Sequence, residues 1–299
     1  DLFLLNGQLK QSMPLTPDAW SWWTVIFGMP HIVASLLTIS DREYLVHYRH
    51  KLGKPLLLFV LASLLLPQLI GMPAFSIILA VYTIYHLIAQ QYGISAMLMK
   101  MRPDRYMSAV RWLSVVASVL MYAMSFSTQL FHDRQLAGIA ISQWLTVITA
   151  FTLSGIILLG IHISRQRKTA DNAAGQWHLW LNISMMLACF LCASYEYAAL
   201  LIIIPRVVHD FSAFAVYSTH DQDRQLVRPD KLVYRLFNFT RLPVIFLCPL
   251  LSIVVAFVAF QDKGPVTLFV INVLTLMHYY MEGVIWKKDS LHRHYLRFQ

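Results

Sequence analysis

The chain has 299 residues, 58% of them hydrophobic and only 13% charged, with 24 Lys and Arg against 15 Asp and Glu. A mean hydropathy of +0.56 and recurring apolar runs of about twenty residues, the length that a hydrocarbon core of ~30 Å demands, exclude a soluble globular protein. The net charge of +9 is spread over separated segments rather than gathered on one face, which excludes a nucleic-acid-binding surface.

The expected fold is all-α: a polytopic membrane helical bundle of about nine transmembrane helices, forming a single integral membrane domain over 1–299. The first span, 18–39, begins among Trp20, Trp22 and Trp23, an interfacial aromatic belt, and is too long for a cleaved signal peptide. The start at Asp1 suggests that some residues precede it. Within this span lies "GMPHIVAS" (28–35), where Pro30 removes one backbone bond and is expected to bend the helix at His31. Spans 55–71 and 73–99 follow, the latter containing "VYTIYHLIAQQYG" (81–93), then 109–130 and 136–163. Span 177–194 holds Cys189 and Cys192, read as small packing residues, since one CxxC without a second pair is a weak zinc or redox signal. Span 196–219 carries "PRVVHDFSAF" (205–214), span 243–260 holds Cys248, and span 265–286 carries "VLTLMHYYMEGVI" (273–285).

The segments 40–54, 100–111, 163–177, 220–242 and 287–299 hold every Lys and Arg except Lys10, Arg134, Arg206 and Lys263. By the positive-inside rule these segments are cytoplasmic, with the N-terminus out and the C-terminus in. The expected location is a multi-pass protein of the lipid bilayer, in a bacterial inner membrane.

Of the twelve histidines, His47, His50, His220, His292 and His294 fall on or beside the basic segments, where solvation is easy. His132, His162 and His178 flank spans. His31, His86, His209 and His278 differ: each lies 13 residues after an outer span start, at Asp18, Pro73, Glu196 and Pro265. At 1.5 Å per residue they share a depth of roughly 20 Å. Polar side chains in hydrocarbon face the bundle interior and mark sites, and neutral imidazole is the commonest metal ligand. The four are the expected metal ligands. Thr83, His86 and Gln90, like Thr275, His278 and Glu282, form polar stripes at i, i+3 and i+7, and Ser35 stands one turn after His31. Gln90, Glu282, Thr83, Thr275 and Ser35 are therefore candidates to hold the outer nitrogens of the imidazoles. Glu282, Arg206 and Asp210 are the candidate catalytic residues: Arg206 and Asp210 either pair at i, i+4 or leave Arg206 to orient substrate or dioxygen.

An all-histidine set argues against structural zinc and Fe–S while leaving iron, copper and catalytic zinc open. With 13 Met, 17 Phe and 14 Tyr available to line an apolar cavity, the substrate is expected to be lipophilic. Gly28-x-Pro30-His31, followed by helices that carry His with a polar or acidic residue one turn on, resembles the bacterial Brp/Blh family of membrane β-carotene 15,15'-dioxygenases. The resemblance implies a non-haem iron on His31, His86, His209 and His278, Fe(II) as cofactor, dioxygen as co-substrate and oxidative cleavage of a polyene. That family tends to carry Asp one turn after its histidines, where this chain has Ser35, Gln90 and Glu282, with Asp210 directly after His209.

The expected function is a membrane-embedded non-haem iron oxygenase acting on a lipophilic, carotenoid-like substrate. An electron donor is a partner only if the reaction is hydroxylation or desaturation. Two alternatives stand beside it. A haem b electron-transfer protein would use two of the four histidines axially, and a proton-coupled transporter would use the buried His, Glu282, Asp210 and Arg206 as a relay.

Overall fold

The computed structural model describes residues 7–20, 22–102, 104–126, 134–166, 173–262 and 264–296. His132, Arg167, Lys168, Lys263 and Arg297, used above for topology or flanking, lie outside the described residues. Ten helices of eight residues or more are described: α1 (Pro30–Ile39), α2 (Arg42–Ile70), α3 (Met72–Leu98), α4 (Arg105–Phe126), α5 (Ile141–Gln166), α6 (Ala173–Ser194), α7 (Ala198–Val227), α8 (Leu232–Phe239), α9 (Leu247–Ala259) and α10 (Pro265–Ile285). Seven of them, α2 to α7 and α10, are long and apolar enough to cross a membrane. The count becomes eight if α8 and Val244–Ala259, which meet at 109°, are one broken span. The one strand pair among the described residues joins β1 (Gln135–Leu136) to β2 (Ile139–Ala140). Ala137 and Gly138 at its turn both have positive φ, the twist that a two-residue hairpin requires.

The first expected span is not one helix. A 3-10 turn at Pro17–Ala19 and a π-helical turn at Thr24–Gly28 precede α1, which has only ten residues. Pro30 opens α1 rather than bending a longer helix, because at the first helical position its missing N–H has no partner to lose and its φ is already helical. Conversely, α2 absorbs most of the expected loop 40–54. Asp41 caps it, its carboxylate accepting from the Glu43 N–H at 2.8 Å. Pro55 sits inside the helix, where it deletes a single i→i−4 bond without ending it. Twenty-nine residues make about 43 Å of helix, so the charged first turns reach past a hydrocarbon layer of ~30 Å. Likewise α7 runs on through 220–227, expected as loop.

The described chain groups into two compact units, Val81–His209 with Asp1–Trp20, and Ser21–Ala80 with Asp210–Phe298; the boundaries fall inside α3 and α7. In the first, α4 packs on α5 and α6, and α5 on α6, around Met107, Val110, Met121, Ile156, Ile163, Leu179 and Ile183. Gly175 lets α6 meet the chain at Leu98 and Met99, whose backbone a Cβ there would strike. In the second, α1 packs on α9 and α10, and α10 on α2. Ala34, Ala213 and Ala256 are fully buried there. Small residues let helix backbones approach closely where lipid supplies no hydrophobic drive between them.

Candidate metal centre

The short α1 places His31 and Ser35 one turn apart on a single face, both fully buried. His31 Nδ1 lies 2.9 Å from Asp210 Oδ1, with both side chains at most 4% exposed. On α10, His278 Nδ1 lies 2.7 Å from Ser35 Oγ. The Ser35 hydroxyl donates its own hydrogen to the Ile32 carbonyl at 2.7 Å, so His278 Nδ1–H is the donor to Oγ and its Nε2 carries the lone pair. This is the arrangement in which an outer partner fixes the tautomer and aim of a metal-ligating imidazole. The two rings stand edge to face, centroids 4.5 Å apart.

Glu282, one turn after His278, turns to the other side of that ring. Its Oε2 lies 3.9 Å from His278 Nε2, and its Oε1 accepts a short hydrogen bond from the Tyr217 hydroxyl. Tyr217, fully buried on α7, is a site residue that the sequence reading missed; its i+7 spacing from Asp210 on the same helix was the available signal.

His86 on α3 and His209 on α7 form the other pair. They are 6% and 1% exposed, with ring centroids 5.3 Å apart and planes at 82°. Each of His31, His86, His209 and His278 offers one ring nitrogen, and these nitrogens all lie within 4.8 Å of one another. Ligands at about 2.1 Å from one ion stand at most about 4.2 Å apart, so the group is of a size to hold one metal ion. The donor set fits a borderline metal that takes imidazole, such as iron, copper or catalytic zinc.

The remaining expected residues are placed less centrally. Thr83, Thr275 and Arg206 are half-buried. The Gln90 side-chain oxygen is buried without a hydrogen-bond partner and so is not brought onto an imidazole. Asp210, one of the candidate catalytic groups, places its Oδ1 2.9 Å from His31 Nδ1. Cys189, Cys192 and Cys248 are free thiols and take no part in the four-nitrogen group. His178 meets Ser95 Oγ at 2.8 Å.

Two histidines expected to be solvated are not. His220 and His292 are fully buried, because α7 continues as helix past residue 219 and the C-terminal segment folds back against it. Their rings stack at 5.2 Å, and His220 Nε2 lies 2.8 Å from the Tyr44 hydroxyl. Around them Arg224 pairs with Glu43 at 2.9 Å and Asp41 at 3.2 Å. Burial, reinforced by His220, Arg224 and His47, pushes the His292 pKa down to about 2.

No protein-family model matches the chain, and no curated protein or solved structure matches it.

Proposed function

We propose that this chain is a membrane-embedded oxygenase that holds one non-haem iron through His31, His86, His209 and His278 and acts on a lipophilic substrate. The observation that carries this reading is the convergence of four buried imidazole nitrogens within 4.8 Å, with the His278 Nδ1–H engaged by Ser35 and the Asp210 carboxylate 2.9 Å from His31 Nδ1. Iron bound there, with dioxygen as co-substrate, supplies oxidation of a carbon–carbon double bond or a C–H bond. Four converging imidazoles favour a bare ion over haem, which takes only two axial ligands.

The protein's own part is positional. Ser35 holds the His278 imidazole in one tautomer, and Asp210 stands against the His31 ring. Glu282, with Tyr217 on its far oxygen, stands beside His278 Nε2 as the carboxylate able to accept or return a proton at the centre. Arg206 orients the polar end of a substrate or of dioxygen. The family resemblance favours a carotenoid-like polyene, cleaved without an external reductant. An N-terminus out and a C-terminus in, within a bacterial inner membrane, complete the proposal.

Metal analysis and an absorption spectrum of detergent-purified protein test it. About one iron per chain without a Soret band, and oxygen-dependent turnover of polyenes, support the oxygenase. A Soret band moves the assignment to a cytochrome, and a metal-free chain moves it to a transporter.

A further inference from the structure

Between Glu282 and the charged start of α2 runs a series of neighbouring aromatic side chains, buried except for the half-buried Trp286. Tyr217, with its hydroxyl on Glu282, has its ring centroid 5.3 Å from that of Trp286. Trp286 lies 5.8 Å from His292 and 6.1 Å from His220. His292 stacks on Tyr44 at 3.8 Å, and Tyr44 bonds His220 Nε2. Tyr44 and Tyr217 are both fully buried, each with its phenol directly on a base. That pairing lowers the barrier to one-electron oxidation, because the phenolic proton has somewhere to go and can come back. Packing alone requires rings, not two tyrosines each supplied with a proton acceptor.

We infer that Tyr217, Trp286 and Tyr44 form an electron relay that discharges an oxidant left at the metal centre when no organic substrate is present. This rests on the proposed function. The oxidant is hydrogen peroxide, formed from dioxygen or bound from solution, and the electron source is a low-molecular-weight thiol at the charged end of α2. In each pass Tyr217 gives an electron to peroxide at the centre and its proton to Glu282, becoming a neutral radical. Trp286 supplies the replacing electron and Glu282 returns the proton. Tyr44 then reduces the Trp286 radical cation while passing its own proton to His220, and a thiol reduces the Tyr44 radical as His220 returns that proton. Two passes convert two thiols into one disulfide, and the two protons that the thiols release are taken up with the two electrons as one peroxide becomes two waters.

The test uses the full chain in detergent, iron-loaded and without organic substrate. It is mixed with hydrogen peroxide, frozen at intervals and read by electron paramagnetic resonance, with metal content measured on the same samples. The expected result is a tyrosyl radical that glutathione quenches, and that is absent in Tyr217→Phe. In Trp286→Phe and Tyr44→Phe the radical still forms on Tyr217, but its quenching by glutathione slows at least tenfold. If the iron is oxidised and no radical appears, or if both variants quench at the wild-type rate, the relay is overturned while the oxygenase stands. A chain that takes up no metal overturns both, and the metal measurement tells the two cases apart.

Discussion

Removing the carboxylate behind His31 is the sharpest probe of the centre. The Nδ1 to Oδ1 distance is 2.9 Å and neither side chain is more than 4% exposed. Loss of a carboxylate partner beside a metal-bound histidine costs roughly 10–100-fold in metal affinity. Asp210→Asn retains an oxygen able to accept from Nδ1–H but removes the charge, so affinity falls about 10-fold, equivalent to about 1.4 kcal/mol. Asp210→Ala leaves the imidazole without that acceptor and falls to about 100-fold. Competition between the protein and a chelator for Fe(II), in detergent and without oxygen, gives the two constants, and the thermal midpoint of the metal-free chain reports folding separately. Equal affinity in wild type and both variants, with folding intact, refutes the assignment of Asp210 as the group that orients His31.

Ser35→Ala removes the acceptor for His278 Nδ1; the same competition gives an affinity lowered about 10-fold, and an unchanged value rules out this hydrogen bond as a determinant of the tautomer. Acid sensitivity follows from His292. Unfolded, this group takes its proton near 6.5; folded, it stays neutral until about pH 2. Stability is therefore complete above 6.5 and is lost as pH falls below it, by up to about 1.4 kcal/mol per pH unit. Thermal midpoints at pH 7.5 and 5.5 measure the drop, which His292→Gln reduces; identical drops contradict the burial argument. Gly175→Ala drives a Cβ into the backbone at Leu98 and Met99, and a strain of about 1–3 kcal/mol lowers the thermal midpoint. An unchanged midpoint shows that the approach of α6 is looser than described.

What could be read from the sequence was whatever depends on near neighbours along the chain. Apolar length marked nine spans, seven of which correspond to helices long enough to cross a membrane, and three of the four histidines, His86, His209 and His278, lie well inside such helices. The polar stripe on α10 placed Glu282 beside His278 because i, i+4 is a property of any helix. Local rules also misled. Hydropathy alone merged 18–39 into one span, although Pro30 starts a new helix there, and charge alone made loops of 40–54 and 220–227, where capping by Asp41 and ion pairing to Arg224 keep the chain helical.

The sequence by itself determined the membrane class, the helical content and the four histidines as a set, because burial cost and helical period act residue by residue. Tertiary structure alone decided what each imidazole faces. Ser35 stands one turn from His31 yet bonds His278, 243 residues away. Asp210 adjoins His209 yet serves His31, and Tyr217 reaches Glu282 across 65 residues. Neighbours on a helix point along one face, whereas a hydrogen bond between helices depends on which faces pack together, and that follows from close packing of the whole bundle rather than from any local pattern.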